Sequence, residues 1–225
     1  MHDPETNAAL TGADGALARA LCQGLNTPLA ALRASVESLG QELLLGRAAL
    51  RPLRIDGVLR EVERIGKNVR ELVELHAPPV PRPLACTLDE IIRAARAQLA
   101  PELRERVVLA RCEPGADLHV DGPLLSGCLR RLLENALEAT DDLVLIVARR
   151  DEGECCFTVL DDGSSAPGPD WRPIPFHSTK PNHIGLGLVL TQRDVALLGG
   201  RLELFSTTPG ETCVRITIPS KEDPR

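Results

Sequence analysis

Four short stretches in the second half of the chain carry side chains suited to a phosphate-bearing ligand. In "RRLLENALEAT", Asn135 sits on a helix whose apolar face is Leu129, Leu132, Leu133, Ala136 and Leu137. A neutral amide oxygen protruding there can meet a magnesium ion carried on phosphates. In "VLDDGSSAPG", a strand ends in Asp161 and Asp162 before the Gly163 turn, and a carboxylate at a strand end can accept a hydrogen bond from an exocyclic amine. "PFHSTK" sets Phe176 and Lys180 in an irregular segment, and "GLGL" (Gly185, Leu186, Gly187) opens a helix, where backbone N–H groups and the dipole favour a phosphate. Taken singly, these read as an exposed helix Asn, a turn and a weak glycine pair. Their order, with an irregular stretch between the second and fourth, makes them one site.

The elements that must position them divide the chain in two. Apolar residues at 17, 21, 25, 29, 32, 36, 39 and 43 form one helical stripe, and those at 58, 62, 65, 69 and 72 a second. "GRAALRP", residues 46–52, suits the turn between two antiparallel helices. Such a hairpin cannot bury so long a seam alone, which points to a four-helix bundle formed with a second copy. "HAPPVPRPL", residues 76–84, cannot continue a helix and marks the boundary between a domain of 1–78 and one of 79–225.

Beyond it, Thr87 and Glu90 are spaced as a capping box, and Asp121 with Pro123 starts the helix that bears Asn135. "RVVLA", "LVLIVA" and "CCFTVL" read as strands, a helix spans about 185–198, and "RLELFS" with "TCVRITI" forms a closing hairpin. Mixed helices and strands without strict alternation indicate an α+β fold, with helices on one face of a mixed sheet.

Composition narrows the function classes. A net charge of -6 over 225 residues argues against a nucleic-acid binder, and with three Phe, one Trp and no Tyr there is little to stack on bases. No apolar run approaches a membrane span, and the first residues lack a leader pattern, so a cytoplasmic protein is expected. Seven scattered cysteines without a CxxC pair signal neither a disulfide framework nor a zinc site.

These motifs resemble the cytoplasmic core of a bacterial two-component sensor histidine kinase, over nearly the whole chain. The second domain looks like the Bergerat-type (GHKL) ATP-binding domain, an α/β sandwich, with "LLENALEA" as N box, "DDG" as G1 box, "PFHSTK" as F box and "GLGL" as G2 box. The resemblance implies ATP or ADP with Mg2+. Asn135 would hold the metal, Asp161 would read the adenine amine with support from Thr212, and Gly163 belongs to the G1 box. Lys180, Gly185, Leu186 and Gly187 would serve the phosphates.

The first domain then resembles the dimerisation and phosphoacceptor hairpin, with "LCQGLNTPLAAL" (residues 21–32) as its H box. The family has His and then an acidic residue there; this chain has Gln23 and Gly24, followed by Thr27 and Pro28. Gln23 and Thr27 share a helix face, but an amide nitrogen delocalised into its carbonyl is no nucleophile toward phosphorus. Gly24 also removes the carboxylate that would assist an imidazole. Arg131 stands where the N box usually begins with a second Asn, placing a cation near the expected magnesium, either to replace metal help or to repel it. Ser165 and His183 replace glycines near the lid, and none of His2, His76, His119, His177 or His183 has the Thr-Pro context of an acceptor.

The expected function is therefore a degenerate histidine kinase: a homodimer that binds nucleotide, does not autophosphorylate, and acts by docking response-regulator receiver domains or another kinase. Two alternatives stand beside it. One is an active kinase that phosphorylates a partner's histidine in trans, and the other is a nucleotide-free, phosphotransferase-like scaffold.

Overall fold

Helical periodicity near the start and alternation further on give two differently built units. The computed structural model describes residues 29–30, 32–38, 52–112, 117–151, 153–163, 172–178, 180, 183–206 and 211–220. One compact unit comprises residues 1–77 with 174–186, the other 78–173 with 187–225.

The first unit contains α1 (residues 29–30 and 32–38) and α2 (Pro52–His76). Pro52, expected in the turn, is instead the first residue of α2, where its fixed φ suits the helix and its missing N–H costs nothing. At the other end, the His76 ring is hydrogen-bonded through Nδ1 to the Leu72 carbonyl at 2.9 Å. Leu59, Val62, Val69 and Val73 are 43–63% exposed, and their spacing puts them on one face of α2. Most of the stripe expected over 17–43 lies outside the described residues.

The proline-rich residues 78–83 have no regular structure. The second unit then runs β1 (Leu84–Thr87), α3 (Leu88–Ala97), α4 (Pro101–Arg104), β2 (Val107–Cys112), β3 (Asp117–Val120), α5 (Gly122–Leu137), β4 (Val144–Asp151), β5 (Glu154–Asp161), α6 (Gly187–Leu197), β6 (Arg201–Phe205) and β7 (Thr212–Pro219). The main sheet has the order β2-β4-β5-β7-β6. Only the β2–β4 pair is parallel; the other three pairs are antiparallel. An antiparallel ribbon of β1 and β3, absent from the expected elements, stands apart from it.

Alternation decides the buried face. Val144, Ile146 and Ala148 of β4 and Cys155, Phe157 and Val159 of β5 are fully buried, whereas Leu145 is 36% exposed on the other side. Against the buried face pack Leu88, Ile91, Ile92 and Ala95 of α3 and Leu125, Leu129, Leu132 and Leu133 of α5. Each large side chain so buried contributes about 1.5–3 kcal/mol, so a core nearly free of aromatics is sufficient. The result is the expected α+β arrangement, helices on one face of a mixed sheet.

Both expected helix starts are present. The Thr87 hydroxyl accepts from the Glu90 N–H at 3.2 Å while the Glu90 carboxylate accepts from the Thr87 N–H at 2.8 Å. Asp121 caps α5 by accepting from the Leu124 N–H at 2.9 Å, and its other oxygen accepts from the Arg82 N–H at 2.7 Å. That second bond ties the proline-rich segment to the helix that carries Asn135.

Candidate nucleotide site

β5 and β7 pair so that Asp161 lies opposite Thr212 at the end of the ladder. Asp161 is only 6% exposed, and its Oδ1 accepts from the Gly163 N–H at 2.9 Å. The Thr212 hydroxyl donates to the Gly163 carbonyl at 3.1 Å. The strand end, the turn and the neighbouring strand thus form one hydrogen-bonded unit that fixes the carboxylate. Asp162 differs: it is exposed, and the Thr140 hydroxyl, then a shared hydrogen bond with Asp142, hold its carboxyl below the usual range. Of the two neighbours, Asp161 is the one fixed within the fold.

Gly163 is required by space. A Cβ there would meet Asp161 Oδ1 at 2.6 Å and the Ala139 Cβ at 2.9 Å. The turn therefore lies directly against the residues that follow α5, bringing the expected G1 and N boxes together. Asn135 sits half-buried in the last turn of α5.

α6 begins at Gly187 and has no acidic residue in its first turn. The positive end of a helix dipole favours an anion. Thr191 is fully buried and donates to the Gly187 carbonyl at 2.8 Å. The remaining expected phosphate residues, Lys180, Gly185 and Leu186, fall in segment 174–186, which belongs to the helical unit. Within that segment Gly185 has φ 76°, and a Cβ there would meet the His177 carbonyl carbon at 2.7 Å. The Lys180 N–H donates to the Ser178 hydroxyl at 3.1 Å. Gln23, Gly24 and Thr27 lie outside the described residues.

Arg131 is compensated within the fold. Its guanidinium does not stand as an uncompensated cation beside the expected metal position; it is 8% exposed and donates to Asp194 of α6 at 2.9 Å. Asp194, 1% exposed, also accepts from Arg193 through Oδ1, at 2.7 and 2.9 Å. Nothing in the sequence pattern pointed to Asp194, which is separated from its partner by 63 positions. Burial, opposed by nearby Arg131 and reinforced by Asp194, pushes the neighbouring Cys128 thiol up to about 12.

The donor set fits an adenine nucleotide at one end: an acceptor carboxylate fixed by a glycine turn that a side chain would fill. Among the described residues no group of three or more His, Cys, Asp or Glu could hold a metal ion. Asn135 would be the protein group to meet a magnesium ion carried on phosphates. Among the described residues no helix is long and apolar enough to cross a membrane.

Comparison with known proteins agrees with this fold. Residues 120–222 match the family model "Histidine kinase-, DNA gyrase B-, and HSP90-like ATPase". The sensor protein KdpD of Escherichia coli is 32% identical over 146 residues, covering 61% of this chain and 16% of KdpD. The histidine kinase AdeS of Acinetobacter baumannii superposes with a TM-score of 0.67 at 16% identity, covering 88% of this chain and 98% of that structure. The histidine kinase ThkA, in a complex with the response regulator protein TrrA, superposes with a TM-score of 0.62 at 19% identity, covering 86% and 60%. The chain spans less than half the length of the curated relatives it matches. These matches support a two-component histidine kinase core with the Bergerat fold.

Proposed function

We propose, from the premise that residues 120–222 are an ATPase domain of the histidine kinase, gyrase and HSP90 type, that this chain is a degenerate histidine kinase. It binds ATP or ADP with magnesium, does not phosphorylate itself, and acts in two-component signalling by contact. The observation that carries the nucleotide reading is the buried Asp161 carboxylate, oriented by Gly163 and placed opposite Thr212. In this reading Asp161 accepts from the adenine amine, the N-terminus of α6 and Lys180 meet the phosphates, and Asn135 holds magnesium. The bound metal would screen phosphate charge; the chain's own groups orient the nucleotide.

Gln23 in place of the acceptor histidine carries the second half of the proposal, because its amide cannot take a phosphoryl group. Contact is then the route by which nucleotide state is transmitted. The exposed apolar face of α2 fits a second copy, giving a four-helix bundle of residues 1–78 with residues 79–225 as the nucleotide domain. A receiver domain or a partner kinase is the docking target, a partner class in keeping with the ThkA–TrrA complex, and the cytoplasm is the setting.

Calorimetric titration of ATP and ADP, with and without magnesium, into wild type and Asp161→Ala tests the nucleotide half. Binding to wild type that disappears in the variant is the expected result; no heat in either ends the reading. Incorporation of γ-phosphate into the purified chain in acid-labile form would falsify the claim that it does not phosphorylate itself. The matched F and G2 boxes, with Lys180, Gly185, Leu186 and Gly187, favour an active kinase as the second reading. It predicts nucleotide-dependent phosphorylation of a histidine on a separate protein.

A further inference from the structure

α5 and α6 pack within the same unit, and the strands they feed set their relative direction. α5 leads into β4 and α6 into β6, each through a short connection. β4 opposes β5, β5 opposes β7 and β7 opposes β6, so β4 and β6 run in opposite directions and the helices run antiparallel. The Arg131–Asp194 contact fixes their register. From Arg131, one turn toward the end of α5 reaches Asn135; from Asp194, two turns toward the start of α6 pass Thr191 and reach Gly187. Since the helices are antiparallel, both steps go toward the same end. The ion pair therefore lies beneath the residues assigned above to magnesium and phosphate.

A buried guanidinium in this place has two possible destinations for its charge. Left without a carboxylate, it would act across the last turn of α5 on whatever binds at Asn135, attracting bare phosphates and repelling a divalent cation in a medium where such forces are little screened. Asp194 draws it onto α6 and compensates it. Arg193 shares the same carboxylate, but its side chain is 22% exposed and its charge is partly screened by water. Arg130, also on α5, is engaged by Glu134 at 2.5 Å.

We propose that Asp194 is a positioning residue for metal-nucleotide binding: by holding and compensating Arg131 it preserves the preference of the Asn135 end of the site for nucleotide carrying magnesium. This rests on the nucleotide reading above and adds to it a residue that touches neither nucleotide nor metal.

The test is titration of ATP with magnesium and ATP in chelator into the full chain, for wild type, Asp194→Asn and Arg131→Met/Asp194→Asn, with ligand-free melting recorded for each. Wild type is expected to bind the magnesium form more tightly. Asp194→Asn should reduce that preference by about tenfold or more, since a released unit charge acts with opposite sign on metal and phosphate. The double variant, which removes the released cation, should restore the preference. A merely structural role would weaken both forms equally and leave their ratio unchanged, and that result would overturn the proposal. If Asp194→Asn does not melt cooperatively, the double variant decides: a lost magnesium preference there overturns the proposal, and a retained one upholds it. Failure of wild type to bind either form overturns the nucleotide reading and this inference together; wild-type binding with an unchanged ratio in Asp194→Asn overturns the inference alone.

Discussion

Arg131 and Asp194, 63 positions apart in sequence, meet at 2.9 Å with side chains 9% and 1% exposed. The cation that the sequence pattern sets near a ligand is also, in three dimensions, part of the contact between two helices. Removing one partner of such a pair strands a buried charge, at a cost of about 3–5 kcal/mol, whereas replacing both by apolar groups of similar volume is near neutral or stabilising. Urea denaturation should therefore show Asp194→Leu strongly destabilised and Arg131→Met/Asp194→Leu recovering much of that loss, with Arg131→Met alone costing less because Arg193 still compensates Asp194. Additive losses in the double variant would contradict this.

The Gly163 turn makes a different prediction. Gly163→Ala introduces a Cβ within 2.9 Å of both Asp161 Oδ1 and the Ala139 side chain. Overpacking of this kind costs about 1–3 kcal/mol. Melting should show that loss, and titration should show ATP affinity falling toward that of Asp161→Ala. Unchanged affinity would mean that the carboxylate does not depend on its turn.

Acid stability should carry a signature of the α3 cap. The Thr87 N–H, and then the Thr87 hydroxyl, hold the Glu90 carboxyl below its ordinary range. A group depressed on folding stabilises above its unfolded value, and that contribution is lost as pH falls through the folded value. Thr87→Ala should therefore lose stability at neutral pH while showing a shallower decline below the ordinary glutamate range, measured by denaturation across pH. Parallel pH profiles for the two proteins would refute the cap as the source.

Thiol chemistry offers a probe of the α5–α6 contact. Cys128 is fully buried with its thiol pushed up to about 12, chiefly by burial. Iodoacetamide at mildly alkaline pH should leave Cys128 intact in the folded protein and modify it once urea is added, as read by peptide mass spectrometry. Because the thiol is raised on folding, its contribution is present below the ordinary thiol value and fades as pH climbs toward about 12.

Association through α2 is tested on its exposed face. Val62→Asp with Val69→Asp places charge on the apolar stripe without touching a buried residue. Sedimentation should show wild type as a dimer and the variant as a monomer with unchanged melting of the nucleotide unit. A monomeric wild type would end that part of the proposal.

Local rules made much of the second unit legible in the sequence. Thr87 with Glu90 and Asp121 with Pro123 announce helix starts through contacts within three residues, and the β4, β5 and β7 runs announce themselves by β-branched alternation. Pairings that depend on distant partners were hidden. β1 is four residues beside a proline-rich segment, and β3 is four residues, too short for the alternation of Leu118 and Val120 to mark it, so each is paired only by the other. The site divides the same way. Asp161 and Gly163 were visible in one short motif, whereas the direction taken by Arg131 depended on Asp194, which no local pattern links to it.

The strand order has a consequence for synthesis on the ribosome. β4 and β5 form a hairpin as soon as residue 161 has emerged, but the far edge of β5 stays open until residues 212–219 arrive to fill it. Since β6 attaches only to β7, it too must wait for a strand that comes later in the chain. Asp161 thus meets Thr212 only after the other strands of its sheet have been made, and a nascent chain halted before residue 212 carries the acidic turn without the strand that completes it.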